Sequence, residues 1–193
     1  MITLGIESAG KDASAALVDG GMVIAEYTLF NKKTHSVMLL PMIDDILKRS
    51  DITISDVDGI AVSAGPGSFT GLRIGVTMAK GLSLGADVAI TRVSSLEALA
   101  FNVYGNGFIV PVMDARRNQV YTAIYECVEG AYPLKIVREP EAMDITEIAA
   151  AVESLGAPVT FVGDALDIED MRACLSDACG DRAIFAPPHS RRG

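Results

Sequence analysis

The sequence predicts an α/β protein of two lobes, each a mixed sheet flanked by helices. Short apolar stretches with strand periodicity alternate with amphipathic helical stretches, and the order meander, helix, strand, helix occurs once in each half. With 193 residues and 50% hydrophobic content, the chain can bury one substantial core or two smaller ones. We place the boundary between residues 104 and 105, where Gly105-Asn106-Gly107 interrupts the pattern, giving lobes 1–104 and 105–193.

The first lobe opens with a three-stranded antiparallel meander. Strands are predicted over 2–7, 13–19 and 22–30, and Gly20-Gly21 is a two-residue hairpin signal between the last two. The first strand brings Glu7 to a turn. A carboxylate at this place suits the metal and phosphates of a bound nucleotide, and it suits a solvated strand end equally well, so both interpretations stay open.

A helix is predicted from about residue 37 to 49, with Pro41 tolerated only near its first turn or at a kink. Its apolar residues cover about half of the circumference, which is more than packing on one sheet requires. This width favours an intersubunit helix bundle and a helix sandwiched inside one chain about equally. His35 precedes the helix, and because His189 is the only other histidine, we expect a capping or packing role rather than a metal ligand.

The segment 62–85 is the centre of the first lobe. A buried strand ends near Val62, the loop Gly65-Pro66-Gly67-Ser68 breaks it, and a helix is predicted over 70–84 with Ser68 or Thr70 as its N-cap. A glycine-rich loop that enters a helix is a common anion cradle, because free backbone N–H groups and the helix dipole point at one place. The loop matches neither a P-loop, nor GxGxxG, nor the GxSxG nucleophile elbow, so it could also serve only to turn the chain.

The helix predicted over 70–84 carries small residues on one face. Gly71, Gly75 and Ala79 are four residues apart, and each interior glycine costs about 0.5–1 kcal/mol of helix stability relative to alanine. Close packing of another helix, within the chain or across a subunit interface, would offset that cost. We expect such packing here.

The rest of the chain repeats the pattern of the first half. A strand is predicted over 87–91, and Ser94-Ser95-Leu96-Glu97 resembles a capping box that starts a helix to about Tyr104. The second lobe is predicted to contain strands over 108–114 and 120–128 joined by a turn at Arg116-Arg117-Asn118, a helix from Asp144 to about Leu155, a strand over 158–162, a helix over 168–175 and a strand over 183–185.

Composition limits the partners and the compartment. A net charge of −9 and a pI near 4.6 oppose strong direct binding to nucleic acid. The pairs Lys32-Lys33 and Arg116-Arg117 are local exceptions, which we interpret as solvated surface. No apolar run approaches the roughly 20 residues needed to span a bilayer, and no secretory signal is visible. We expect a cytoplasmic protein with reduced thiols at Cys127, Cys174 and Cys179.

Four segments together resemble the TsaB (YeaZ) family of bacterial proteins. They are GIESAGKDASAALVD at residues 5–19, the HSxxLLP segment from His35 to Pro41, SAGPGSFTGLRIGVTMAKGL at 63–82 and MDARRNQVYTAIYE at 113–126. The resemblance implies an actin-like, ribonuclease-H-like two-lobe fold. It also implies a role in making threonylcarbamoyladenosine on transfer RNA, as the partner of the catalytic paralogue TsaD and of the small ATPase TsaE.

The same resemblance implies that this chain lacks the chemistry of TsaD. TsaD binds its catalytic metal through a His-x-x-x-His helix motif, and the matching segment here is Ser95-Leu96-Glu97-Ala98-Leu99. Neither imidazole position holds a comparable ligand. In the first turn an acidic residue of TsaD is replaced by Lys11, whereas Glu7 persists. We therefore expect no catalytic residues and no metal.

Residues and resemblance together predict a non-catalytic partner subunit. Its helices over 37–49 and 70–84 are expected to remain partly exposed, to dock the TsaD-like subunit and, in the chain alone, to form a homodimer. The expected interface residues are His35, Met38, Leu39, Met42, Ile43, Ile46, Gly71, Leu72, Gly75, Val76 and Ala79.

No cofactor is expected to bind tightly, but ATP or ADP could bind weakly at an interface of the complex. The residual nucleotide site is expected to consist of Glu7, Ser8, Asp12, Gly65, Pro66, Gly67 and Ser68. One alternative is a weak nucleotide hydrolase that uses Glu7, Asp12 and the glycine loop. Another is a glycoprotease-like peptidase, for which neither a metal set nor a nucleophile set is visible.

The end of the sequence departs from the family pattern. Family members usually continue past the last strand with a helix and a strand that return to the core, whereas this sequence stops after Pro187-Pro188-His189-Ser190-Arg191-Arg192-Gly193. We expect either a truncated second lobe or a degenerate tail.

Overall fold

The computed structural model describes residues 1–30, 35–103, 107–127 and 134–191. Its contacts divide the chain into two compact units between Ser95 and Leu96, earlier than the boundary placed from the sequence. The difference arises from helix α3 (Ser95–Ala100), whose apolar side chains pack among strands of the second unit. No helix in the described ranges combines the length and the apolar character needed to cross a membrane.

The first unit contains a five-stranded mixed sheet in the order β3-β2-β1-β4-β5. The first three strands form the predicted antiparallel meander, and β4 and β5 run parallel to β1. Because carboxyl ends of parallel strands lie at one edge, Glu7, Ser63 and Val93 end their strands together. The strands are β1 (Ile2–Glu7), β2 (Ala13–Asp19), β3 (Met22–Leu29), β4 (Gly59–Ser63) and β5 (Ala89–Val93).

Two helices pack on this sheet. Helix α1 (His35–Arg49) begins at His35, so this residue lies in the helix rather than before it. Helix α2 (Phe69–Ala86) begins after Ser68, whose hydroxyl accepts a hydrogen bond from the Gly71 amide at 3.2 Å and confirms the predicted N-cap. The core between helices and sheet includes Leu4, Leu17, Leu39, Ile43, Ile46, Ile60, Val62 and Ala79.

The second unit repeats the topology of the first. Its sheet has the order β8-β7-β6-β9-β10, in which an antiparallel meander is followed by two parallel strands. The prediction that the halves are related copies with mixed sheets is therefore confirmed at the level of topology. The elements are β6 (Gly107–Arg116), β7 (Gln119–Cys127), β8 (Lys135–Asp144), α4 (Ile145–Glu153), β9 (Val159–Val162), α5 (Glu169–Cys179) and β10 (Ala183–Phe185).

Strand β8 is absent from the sequence prediction. Its segment contains Glu139-Pro140-Glu141, which reads as a break, yet proline is tolerated on an edge strand because the missing N–H need not face a neighbour. Helix α3 is also shorter than predicted, ending at Ala100. Both sheet faces of the second unit are covered: α4 and α5 pack in one apolar cluster, and α3 packs in the other with Ile109, Ala123, Tyr125 and Val162.

Candidate functional site

The candidate site lies at the edge of the first sheet where β1, β4 and β5 end. Ligands of open α/β sheets bind outside the carboxyl ends of the strands. Here Glu7 ends β1, and its carboxylate accepts hydrogen bonds from the Ala9 amide at 2.5 Å and from the Ser63 hydroxyl at the end of β4. The side chain of Glu7 is thus held by its own turn and by the neighbouring strand.

The environment of Glu7 favours its neutral form. Burial raises the pKa of its carboxyl above the ordinary value, and the hydrogen bonds from Ser63 and from the backbone of Ala9 only partly oppose this effect. The Ser63 hydroxyl also lies 3.3 Å from the Ile6 carbonyl, so it has a second acceptor within reach. The half-buried carboxyl of Glu7 thus has a structural role, because its hydrogen bonds connect the end of β1 to the end of β4.

The glycine-rich loop packs directly on the turn that follows β1. The Ser68 amide donates to the Ala9 carbonyl at 2.7 Å, and a Cβ at Gly67, whose φ is 156°, would overlap that same carbonyl. On its other side the loop accepts a hydrogen bond from the Ser95 amide to the Gly65 carbonyl at 3.0 Å, and the Gly65-Pro66 bond is cis. The loop therefore joins the ends of β1 and β5.

This packing bears on the phosphate interpretation. An anion cradle needs backbone N–H groups that point at the ligand. The Ser68 amide already donates to Ala9, and the Gly71 amide donates to the Ser68 hydroxyl. Of the two interpretations left open by the sequence, these contacts favour a loop that turns and fastens the chain.

The glycines on the small face of α2 pack against the turn that follows β1. A Cβ at Gly71 would overlap the Ser8 carbonyl, and a Cβ at Gly75 would overlap the Ser8 hydroxyl. That hydroxyl donates to the Gly71 carbonyl at 2.9 Å. The close contacts at Gly71 and Gly75 are thus made mainly with Ser8, and His35 of α1 lies beside Gly71.

The start of α1 is tied to the same turn. Nε2 of His35 lies 3.3 Å from the Lys11 carbonyl, which can only accept, so the ring nitrogen is the donor. Asp12, in the same turn, is buried. The packing role predicted for His35 is confirmed, and Glu7, Ser8, Asp12 and the glycine loop do lie together around this turn.

Most of the expected interface residues are buried within the chain. Leu39, Ile43, Ile46 and Ala79 belong to the core of the first unit, and Met42, Gly71 and Gly75 are buried as well. The expectation that they remain exposed is wrong, because the sheet covers the wide apolar arc of α1 and Ser8 covers the glycines. His35, Met38, Leu72 and Val76 are only partly exposed.

Other residues of the same helices form an exposed apolar surface. A groove of about 460 Å³ is lined by Ser36 at the start of α1 and by the outer side of α2. We call this region the α1/α2 outer face. Its large exposed side chains are Val37 and Leu40 on α1 and Phe69 on α2, and the remaining groove residues are Thr70, Arg73, Ile74, Thr77 and Met78.

The exposed apolar side chains of the two helices are therefore not the residues expected from the sequence. The missed residue with the clearest signal is Phe69, which is 68% exposed and lies under the guanidinium of Arg73, 3.8 Å from the ring centroid. A phenylalanine and an arginine four apart, opposite a glycine face, form a pattern that could have been recognised in the sequence.

Ser95 and Leu99 stand where the His-x-x-x-His motif has its two metal-binding histidines, and these two side chains do not fit a metal. Ser95 and Leu99 are both buried in α3, and Leu99 packs in the apolar cluster of the second unit. An aliphatic side chain cannot ligate a cation, and a buried neutral hydroxyl is a poor ligand by itself. The Ser95 hydroxyl has no hydrogen-bond partner within the described residues, and those residues contain no cluster of three histidine, cysteine or carboxylate side chains placed to hold a metal.

Comparison with known proteins gives a consistent picture. Residues 23–170 match the family model of TsaD, tRNA N6-adenosine threonylcarbamoyltransferase. The tRNA threonylcarbamoyladenosine biosynthesis protein TsaB of Bacillus subtilis strain 168 is 39% identical over 195 aligned residues, which cover 100% of this chain and 83% of that protein. TsaB of Escherichia coli strain K12 is 38% identical over 65% of this chain and 55% of its own length. The solved structure of YeaZ from Pseudomonas aeruginosa superimposes with a TM-score of 0.77 at 25% identity, covering 88% of this chain and 79% of that one.

Proposed function

The chain belongs to the TsaB (YeaZ) family, and on that premise we propose that it is a non-catalytic subunit in the formation of threonylcarbamoyladenosine on transfer RNA. Its two-lobe fold is the actin-like fold that the family resemblance implies, with one topology in both units. In this proposal the chain docks a TsaD-like catalytic subunit and acts together with a TsaE-like ATPase.

The observation that carries the proposal is the exposed α1/α2 outer face. Val37 is 61% and Phe69 is 68% exposed, and they lie on the two helices that border one groove. Phe69 lines this groove itself, and large apolar side chains left exposed close to a groove often mark a binding site. A large aromatic side chain beside a groove is the typical anchor of such an interface.

A second argument supports the non-catalytic assignment. Metal-dependent chemistry would need ligands at the positions of Ser95 and Leu99, and these side chains do not supply them. The chain retains the architecture of a TsaD-like protein while its own residues lack the corresponding donor set. Support of a catalytic partner is the function that this combination favours.

The test is a charge placed on the α1/α2 outer face. Phe69 is the first residue of α2, where a carboxylate interacts favourably with the helix dipole, so Phe69→Asp should fold as well as the wild type. The variant removes an aromatic anchor and puts in its place a carboxylate that pairs at best with Arg73, a loss of about 2 kcal/mol or more, so binding to the TsaD-like subunit should weaken by about thirtyfold or more. Met22→Asp is the matched control, since Met22 is equally exposed but lies on the edge strand β3.

Co-purification with an untagged TsaD-like subunit and circular dichroism of each variant decide the matter. Loss of the partner by Phe69→Asp alone, with an unchanged melting temperature, supports docking through this face. If the folded Phe69→Asp variant retains the partner as well as the wild type does, the docking surface lies elsewhere.

We further propose that the chain alone forms a homodimer through the same face, in competition with the catalytic partner. Phe69→Asp should then sediment as a monomer while Met22→Asp sediments as the wild type does. A dimer that persists in Phe69→Asp while binding of the partner is lost would contradict a shared face.

Weak nucleotide binding is a separate proposal. We infer an affinity of the isolated chain for ATP near the millimolar range, equivalent to about 4 kcal/mol, because amides of the glycine loop are engaged within the chain. Calorimetry measures it directly. A micromolar dissociation constant that Glu7→Gln abolishes would instead favour a nucleotide hydrolase that uses Glu7 and Asp12.

A further inference from the structure

The hairpin between β6 and β7 has an unusual backbone. Arg116 and Gln119 pair across it, which leaves Arg117-Asn118 as a two-residue loop. The φ angles of Arg116, Arg117 and Asn118 are 68°, 53° and 63°, so three consecutive non-glycine residues lie in the left-handed region. Two-residue loops with positive φ at both positions strongly favour Asn-Gly or Asp-Gly, whereas arginine in this region is strained.

The hairpin is held in place from three sides. The Asp114 carboxylate accepts from the Arg116 amide at 2.8 Å, and the Asp164 carboxylate accepts from the Asp114 amide at 2.9 Å. The Asn118 carbonyl accepts from the Ile145 amide at 3.2 Å. The surrounding structure therefore imposes the left-handed conformation on the arginines. The nearby carboxylates of Asp114 and Asp164 accept hydrogen bonds from backbone amides. The carboxylate of Asp144, at the start of α4, accepts hydrogen bonds from the Thr146 amide and from Asn118.

The fold makes no visible use of the two arginine side chains. Arg116, Arg117, Asn118 and Gln119 are all exposed, and within the described ranges neither guanidinium forms a salt bridge or a ring contact. The chain thus bears the backbone strain of two arginines at a place where asparagine or glycine would be favoured, in a protein of net charge −9. Backbone strain of this kind persists only where the surrounding structure imposes it, and it clusters at functional sites.

We propose that Arg116 and Arg117 contact phosphate groups of the RNA substrate, an inference that rests on the proposed function in tRNA modification. Arginine is suited to phosphate because its planar fork donates two hydrogen bonds to it. The residues of the hairpin tip are all exposed, whereas small ligands such as free nucleotides bind in concave sites. A long polyanion that lies along the surface fits the tip better.

The test is a variant that removes the charge and relieves the strain together. Asparagine tolerates the left-handed region, so Arg116→Asn/Arg117→Asn should raise the melting temperature by about 2 to 4 °C. The same variant should bind RNA less well. A purely structural role of the arginines would not combine a gain in stability with a loss of binding.

RNA binding is measured with an unmodified transfer RNA transcript, first with the chain alone at low salt and then with the chain assembled on its TsaD-like partner. The logarithm of the binding constant falls as the logarithm of the salt concentration rises. The loss of two phosphate contacts should make this negative slope shallower by about 1.5 to 2. Arg92→Gln is the control, because Arg92 is an exposed arginine on β5 with ordinary strand geometry, and it should leave the slope unchanged.

The outcomes separate this inference from the proposed function. An unchanged slope and affinity in the asparagine variant overturn the phosphate contact, even if the partner is retained. Failure of the wild type to bind the TsaD-like subunit overturns the docking proposal, while the measurement on the chain alone still decides the arginine contact. If ATP at matched ionic strength displaces the transcript and binds only the wild type, the ligand is a nucleotide and the RNA assignment is wrong.

Discussion

Substitution of the glycines of α2 by alanine tests the packing on which the first unit depends. A Cβ at Gly71 would overlap a backbone carbonyl of Ser8, which cannot move without shifting the end of β1. Overpacking of this kind costs about 1–3 kcal/mol, and the gain in helix propensity returns about 0.5–1 kcal/mol. We expect Gly71→Ala to lower the free energy of unfolding by about 1–2 kcal/mol.

Gly75→Ala should cost less, because the atom that a Cβ would meet is the Ser8 hydroxyl, which can rotate. Rotation breaks the hydrogen bond to the Gly71 carbonyl, a loss of about 1 kcal/mol. In the double variant Ser8→Ala/Gly75→Ala the clash is removed, since the Ser8 Cβ lies at an ordinary contact distance of 3.5 Å. The double variant should therefore be more stable than the sum of the single effects predicts.

Gly81→Ala is the control in the same helix. It lies in the interior of α2, it is exposed, and a Cβ there would meet nothing within 4 Å. It should raise stability by about 0.5–1 kcal/mol through helix propensity alone. Urea denaturation of these variants and of the single variant Ser8→Ala, five in all, measures all of these effects. A Gly71→Ala variant as stable as Gly81→Ala would refute the close approach of α2 to Ser8.

Three further predictions concern single groups. Burial raises the pKa of Glu7, so the stability that its neutral form contributes is complete below the ordinary value near 4.5 and is lost as the pH rises through the higher folded value. Glu7→Gln should therefore gain stability over the wild type as the pH rises above about 4.5, and a difference that stays constant with pH would contradict this. Hydrogen bonds from Thr146 lower the pKa of Asp144, whose side chain caps α4. Asp144→Ala should therefore destabilise the protein at neutral pH. The destabilisation should disappear in acid, below the ordinary pKa of 3.8, because the wild-type carboxylate then becomes protonated. Arg191→Gln should lower the free energy of unfolding by about 1–3 kcal/mol, because the buried guanidinium of Arg191 donates to the Ala186 carbonyl at 2.7 Å and to Asp167 at 3.0 Å. A thermal melt measures this loss, and an unchanged melting temperature would contradict the prediction.

The sequence alone determined the features that depend on neighbouring residues. The hairpin at Gly20-Gly21, the N-cap at Ser68 and the N-cap at Asp144 form as predicted, because turns and caps depend on the conformational preferences and hydrogen bonds of a few adjacent residues. The repeated order of helices and strands also follows from the periodicity of the apolar residues. This order correctly predicted two units with mixed sheets. The grouping of Glu7, Ser8, Asp12 and the glycine loop around one turn was likewise predicted correctly.

Only the tertiary structure decided what each of these faces meets. Periodicity shows that one side of a helix is apolar or small, but a sheet, a second helix and a partner subunit all produce the same pattern. The arc of α1 is covered by its own sheet, and the glycines of α2 accommodate Ser8, so the large apolar side chains that stay exposed on these helices include Val37 and Phe69. The sequence does not show the backbone strain at Arg116 and Arg117 either. The strain is imposed by hydrogen bonds of Asp114, Asp164 and Ile145, which lie in three different parts of the chain and together hold the hairpin.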